Sequence, residues 1–395
     1  MIEICKIKEC TGCEACASIC PLHCIEMRPD QDGFYYPVID GAKCNECGKC
    51  VRTCPNHSEL KRGTSDFYMG WHKDDEVLLN SSSGGAFTAI ADLVFGREGI
   101  VFGAWFDEEK RTVEHIGVDT SGCLGRLRLS KYFQGRINDC YKMVETQLNT
   151  GRMVLFSGTG CQVAGLYKYL GRAYENLISA DVLCHGITSG KVIGRCMESK
   201  EKKYGKKIKT FRFRLKPSDS DWMQGGGTRM RLDFDDGTRV IEEKDADTFF
   251  LGFNRYLFLR KSCYNCKYCG TERISDITLA DFWGVDLTKL SESQQKKGVS
   301  LIAANSDKGR QIVKKLFRDM VIEEADRDRA IAANQAFRKP GAENDKRRAF
   351  FSKIDSVDFD KLVYKYNWTA YLKMKARGLL GDKIYEDLKK LSGRA

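Results

Sequence analysis

Eighteen cysteines in 395 residues are the part of this chain from which chemistry is read first. Cys10, Cys13, Cys16 and Cys20, followed by Pro21, spell C-x2-C-x2-C-x3-C-P, and Cys44, Cys47, Cys50 and Cys54, followed by Pro55, repeat it. In such a run a tight loop presents three thiolates to three corners of an iron–sulfur cubane, and the fourth thiolate crosses to a neighbouring cluster. The spacing therefore predicts two 4Fe-4S clusters. One is held by Cys10, Cys13, Cys16 and Cys54, the other by Cys44, Cys47, Cys50 and Cys20. Structural zinc uses two short cysteine pairs around one ion, not two four-cysteine runs each ending in Cys-Pro. Cys5 and Cys24 fall outside the pattern and read as packing residues.

A third run, Cys263, Cys266 and Cys269, has C-x2-C-x2-C spacing but no local fourth ligand. Cys161 and Cys184 stand near the C-terminal ends of two apolar, strand-like runs, the edge where α/β sheets place their sites. A third cluster is one reading of this set, and zinc with His185 is the rival. Cys161 alone reads as a buried thiol, or as a nucleophile with His185 as base in an acyl or glycosyl transfer enzyme. Of His23, His57, His72, His115 and His185, only His185 adjoins a candidate site. The run Ser81-Ser82-Ser83-Gly84-Gly85 opens a helical segment, where free N–H groups suit an anion such as a flavin phosphate. A serine-glycine turn with a helix cap is the simpler reading of that spacing. The loop at 157–162 is not a dinucleotide fingerprint, because Val163 replaces the required glycine, nor a P-loop, because no Gly-Lys-Ser/Thr follows. Asp281-Phe282-Trp283-Gly284 resembles a kinase metal motif superficially, with no His-Arg-Asp loop before it.

These residues need a frame. Residues 1–60 read as a ferredoxin-like domain, with 33–37 as a hairpin return and 56–66 as a linker. Strand-like runs at 67–71, 99–106 and 112–118 follow, with a helix from 86. Strand and helix then alternate: 153–156 with 162–170, 177–183 with 189–200, and 300–304 with 308–319. Residues 277–282 form a further strand, and 228–234 with 238–242 a hairpin around Asp235-Asp236-Gly237. The alternation predicts a mostly parallel sheet covered by helices. The fold class expected is α+β to α/β: a dicluster ferredoxin-like domain followed by a mixed α/β body.

Length implies two or three domains, and 42 % apolar with 30 % charged residues is ordinary for a soluble globular chain. The longest apolar stretch, Ala86–Phe95, is broken by Thr88 and Asp92 and is far short of the ~20 residues of a span. The first residues lack an apolar signal core, so a cytoplasmic, reducing location is expected, where clustered cysteines mean metal. Net charge is +11, with nine acidic and six basic residues in 1–60 and the positive excess in the remainder. A basic body attracts an anionic partner: an acidic electron carrier, a dinucleotide or an anionic substrate. Residues 200–209 (KEKKYGKKIK) read as a solvated helix end and not as a nucleic-acid patch.

In order along the chain stand SSSGGAF (81–87), LSKYFQG (129–135), VLFSGTGCQVAGL (154–166), DVLCHGITS (181–189) and RKSCYNCKYCGTERISDITLADFWG (260–284). Together with the N-terminal runs, this series resembles the beta-subunit family of coenzyme F-420-reducing hydrogenases and dehydrogenases, in its bacterial form with a dicluster ferredoxin domain. The resemblance covers about residues 1–320. It implies a ferredoxin-like domain at 1–60, an N-terminal-type domain at 66–150, and a flavin and iron–sulfur domain at 151–320. A charged, helical extension then spans 321–395. It implies FAD contacts at Ser83, Gly84, Gly85 and Lys131, with Thr159 and Gln162 close by. It also implies a flavin-proximal third 4Fe-4S cluster on Cys161, Cys184, Cys263 and Cys266. Lys131 becomes the candidate catalytic group, stabilising an anionic flavin or orienting substrate. The implied activity is an oxidoreductase passing electrons between a ferredoxin-type carrier, the clusters, FAD and a deazaflavin or other organic substrate. The alternative is a non-catalytic electron-transfer subunit of a larger redox complex. Two departures stand out. Cys269 occupies a position where the family often has Lys, and Gly160 stands where it commonly has the torsion-fixing proline.

Overall fold

The computed structural model describes residues 2–216, 222, 229–242, 247–369 and 371–372. At the N-terminus β1 (Ile25–Pro29) and β2 (Tyr35–Ile39) pair antiparallel, with Met27 opposite Pro37. The two short helices Ala15–Ser18 and Lys49–Thr53 carry the middle of each cysteine run and pack on each other. The interior here is largely thiol: Cys16, Cys20, Cys24, Cys50 and Cys54 with Ile4 and Ile25. A unit of this size buries too little hydrocarbon to stand by that alone.

The body is built on β3 (Asp66–His72), β4 (Ile100–Asp107), β5 (Thr112–Val118), β6 (Gly135–Arg136), β7 (Val154–Thr159) and β8 (Leu177–Val182). A small sheet follows, of β9 (Ile208–Arg212), β10 (Met230–Phe234) and β11 (Arg239–Glu242). Then come β12 (Ile277–Asp281), β13 (Ser300–Ala304) and β14 (Met320–Glu324). The large sheet has nine strands in the order β14-β3-β13-β12-β8-β7-β4-β5-β6. Its centre, β4-β7-β8-β12, is parallel, and β7 and β8 are buried almost throughout, as strands covered on both faces must be. The expectation of a mostly parallel sheet is corrected, because β5, β13, β3 and β14 join antiparallel. The β4–β5 link is four residues, too short for a parallel crossover.

Helices Ala86–Phe95 and Asp307–Leu316 cover one face with Ile90, Val94, Ile312 and Leu316. Helices Cys140–Asn149 and Gly160–Leu170 cover the other with Tyr141, Val144, Val163 and Leu166. A phenylalanine-rich core (Phe211, Phe234, Phe249, Phe253, Phe258, Phe350) joins the small sheet to helices Gly190–Tyr204, Thr248–Phe253 and Phe359–Tyr366. The expected hairpin is β10–β11, and Thr228 lies outside the described residues. The basic helix end is corrected in part. Lys200 is buried against Glu242, which also accepts from Lys203 at 3.0 Å, while Lys202 and Lys209 are exposed. Of the C-terminal extension, residues 373–395 lie outside the described residues, and β14 forms the sheet edge. Among the described residues no helix is long and apolar enough to cross a membrane.

Candidate functional site

Cys10, Cys13, Cys16 and Cys54 line one hollow of the N-terminal unit, beside Cys5, and all four are buried. Cys20, Cys44, Cys47 and Cys50 line a second, beside Cys24, and here Cys47 is exposed. The exchange of fourth cysteines, Cys54 to the first hollow and Cys20 to the second, is the one that the motif spacing predicts. The backbone explains the convergence. Residues on either side of the second cysteine of each run take left-handed torsions, Gly12 (φ 69°) and Glu14 (φ 61°), then Glu46 (φ 55°) and Gly48 (φ 70°). That curl turns the thiols inward. Burial pushes the Cys13 thiol up to about 12. Among the described residues no three ligating side chains close on a single ion. Four thiols around a hollow instead fit a cubane, whose corners each take one.

The third set assembles from four separate segments. Cys161 opens the helix Gly160–Leu170, Cys184 follows β8, Cys263 lies in the 3-10 turn Lys261–Asn265, and Cys266 ends that turn. Burial, then Cys266, push Cys161 up to about 11. Burial, then Cys263, Cys161 and Cys266, push Cys184 up. Cys266 is instead brought down to about 7, chiefly by its hydrogen bond with Cys269. Five thiols thus share one neighbourhood. His185 stacks on Tyr256 at 4.5 Å, and its Nε2 lies 3.3 Å from the Phe253 carbonyl. Among the described residues it forms no hydrogen bond with Cys161, so the thiolate–imidazole pair of a cysteine nucleophile is not assembled.

Next to this set lies a cavity of about 690 Å3, within the range of cofactor sites. Ser81, Ser82, Ser83 and Gly85 form one wall, and Lys131, Gln134 and Gly135 another. Thr159, Cys161, Gln162, Cys184 and His185 border it too, and Thr11 and Gly12 of the first cysteine loop reach its edge. Of the expected flavin contacts, Gly84 does not border it: a Cβ there would press on the Gly70 carbonyl and the Ser300 backbone. Ser83 Oγ donates to Val299 O at 2.8 Å. Thr159 N donates to Gln162 Oε1 at 2.9 Å, one half of a capping box that starts the helix at Gly160. Lys131 Nζ donates to the carbonyls of Leu127 (3.0 Å) and Arg128 (2.7 Å). Burial, aided by the charge of Arg212, pushes Lys131 down to about 7. Asp281 accepts from Arg214 at 2.8 Å, which accounts for the aspartate of the Asp-Phe-Trp-Gly run.

Two further residues matter here that spacing did not single out. His115 on β5 is buried, stacks on Phe156 at 5.5 Å and borders the cavity. Its ring nitrogens close no hydrogen bond among the described residues, and burial brings its pKa down to about 4, leaving it neutral at pH 7. The two-residue alternation that buries Val113 and His115 together was the available signal. Arg260, just before Cys263, is fully buried between the N-terminal unit and the body.

Residues 151–330 match the family described as the C terminus of the coenzyme F420 hydrogenase/dehydrogenase beta subunit, and residues 9–58 match the "4Fe-4S dicluster domain". The chain is similar to NADH-quinone oxidoreductase subunit I of Pelobacter propionicus, at 32 % identity over 15 % of this chain and 37 % of that protein. It is similar to ketoisovalerate oxidoreductase subunit VorC of Methanothermobacter marburgensis, at 39 % identity over 13 % of this chain and 70 % of that one. It is also similar to the ferredoxin-type protein NapF of Escherichia coli K12, at 32 % identity over 13 % of this chain. The match spans 32 % of the length of NapF, so two of these three relatives are covered only in their smaller part. A solved structure of the F420-reducing NiFe hydrogenase complex from Methanosarcina barkeri is similar to 70 % of this chain and 91 % of that one. The identity is 15 % and the TM-score 0.45.

Proposed function

Because this chain belongs to the coenzyme F420 hydrogenase/dehydrogenase beta-subunit family through residues 151–330, with a 4Fe-4S dicluster domain at 9–58, we propose that it is an iron–sulfur flavoprotein oxidoreductase. The single observation that carries this reading is adjacency. One cavity is bordered at one edge by the first cysteine loop (Thr11, Gly12) and at another by Cys161 and Cys184. Cys161, Cys184, Cys263 and Cys266 would hold a third 4Fe-4S cluster, with Cys269 as a reserve thiol. FAD would occupy the cavity. When bound, the clusters supply single-electron transfer and the flavin supplies hydride exchange with a deazaflavin or another organic substrate. Lys131 supplies a buried cation on the wall beside the Ser-rich loop, and neutral His115 a ring nitrogen on the wall that also carries Gln162. A ferredoxin-type carrier would meet the chain near the exposed Cys47.

The test is composition. Anaerobic purification of the full chain should give roughly twelve iron and about one FAD per polypeptide. About eight iron without flavin would overturn the third cluster and the flavin while leaving the dicluster unit. A second reading, a non-catalytic electron-transfer subunit, is favoured by the relatives named as subunits of larger oxidoreductases. Failure of the loaded chain to turn over any deazaflavin or dye acceptor would select it.

A further inference from the structure

The Arg260 side chain is a buried cation without a buried anion. Its relative exposure is 0 %. Among the described residues no carboxylate oxygen lies within the 4.0 Å of an ion pair, in contrast to Arg347, paired with Asp32 at 3.0 Å nearby. Its neighbours are neutral acceptors: Cys10 O at 2.8 Å from Nε, Gln134 Oε1 at 3.1 Å from Nη1 and Tyr35 O at 3.0 Å from Nη2. The plane lies on the Tyr36 ring, 4.0 Å from its centroid. One group in reach becomes an anion on binding a cluster: Cys10 Sγ, 3.6 Å from Nη2. An uncompensated charge in a dry interior is strongly unfavourable unless something of opposite sign arrives. A thiolate-ligated cluster at Cys10 is that counter-charge.

The surroundings are shaped for this cation. A Cβ on Gly12 would sit 3.1 Å from Arg260 Nη1 and closer still to Gln134 Nε2, so the bare glycine lets the guanidinium lie against the cysteine loop. Gln134 Oε1 fixes it from the other side while also accepting from Tyr35 N at 3.0 Å. The second cysteine loop has a different arrangement: the cation beside Gly48 is Arg52, which is exposed.

We propose that Arg260 is a positioning residue that sets the reduction potential of the cluster on Cys10, Cys13, Cys16 and Cys54 above that of its twin. One-electron reduction adds one negative charge to a cluster, so a fixed buried cation stabilises the reduced form. In a dry interior that effect is screened far less than at the surface. The proposal rests on the dicluster assignment of residues 9–58 alone and needs neither the third cluster nor the flavin.

The test is an EPR-monitored redox titration of the anaerobically purified full chain, with iron counted in each sample. Arg260→Gln should lower the midpoint of one ferredoxin-type cluster by at least a factor of ten in its one-electron equilibrium, or about 59 mV. The other midpoint should stay in place. Arg260→Lys, which keeps the charge, should restore most of the shift. Should Arg260→Gln fail to retain iron, Gln134→Glu places a carboxylate against the intact guanidinium and should lower the same midpoint. Unchanged midpoints in an iron-replete Arg260→Gln chain, or in Gln134→Glu, would overturn the proposal. A purely structural role predicts lost iron with no shift in what remains. Iron content reports separately on the dicluster assignment: a wild-type chain without about eight iron would fail there and not here.

Discussion

The two cysteine loops share one spacing and one backbone path, yet they differ in what presses on them. Both place left-handed residues on either side of the second cysteine. The inner loop puts glycine first and glutamate second (Gly12, Glu14), and the outer loop reverses them (Glu46, Gly48). Torsion alone does not choose between these orders, since each position is left-handed in both loops. Contact does. Gly12 lies under Arg260 and Gln134, where a side chain has no room, whereas a Cβ at Gly48 would meet only the tip of Arg52 at 3.0 Å. Glu14 is buried and reaches into the body, while Glu46 is exposed. The inner loop is therefore the docked end of the dicluster unit and the outer loop the open end.

The strongest way to break this comparison is to remove the docking carboxylate. Glu14 accepts from Arg136 Nε at 2.5 Å and from the Asn138 backbone at 3.1 Å, with the glutamate 3 % and the arginine 22 % exposed. Glu14→Ala leaves Arg136 desolvated without its partner, and losing one member of a buried pair costs about 4 kcal/mol. Denaturant unfolding of the loaded chain should show that loss. Glu46→Ala, at the same register of backbone but on the open face, should fall within about 0.5 kcal/mol of wild type. Equal effects would mean that the docking contacts do not distinguish the loops.

How much of this was open to reading in the sequence follows from how local each feature is. The cysteine runs are contiguous, so their spacing carries both hollows, including the exchange of Cys20 and Cys54. The strand–helix pairs at β7 and β8 are local for the same reason, since apolar runs and caps such as Thr159 lie within a few residues of each other. Sheet order is not local. β3 lies between β13 and β14, strands more than two hundred residues away, and no period in the sequence reports that. Arg260 illustrates the limit most clearly. It precedes Cys263 in a motif that is easy to find, but its partner Cys10 is 250 positions distant. Lys200 misled for a related reason: its neutralising Glu242 comes from the small sheet, so a basic run concealed a buried ion pair.

The finest test of the comparison exchanges a single hydrogen for a methyl group at the two glycines. Gly48→Ala introduces the left-handed penalty of an L-residue, about 1 kcal/mol, and the exposed Arg52 tip can swing aside. Gly12→Ala incurs the same penalty and also drives a Cβ into Gln134 Nε2, a side chain that is buried and held by Arg260 and Tyr35. Overpacking of that kind adds about 1–2 kcal/mol, so Gly12→Ala should lose about 2–3 kcal/mol in the same denaturant assay. The difference between the two variants isolates the contact from the torsion. A pair of equal losses would show that the body does not press on the inner loop. In that case glycine would stand at position 12 for its backbone angle alone, as it does at position 48.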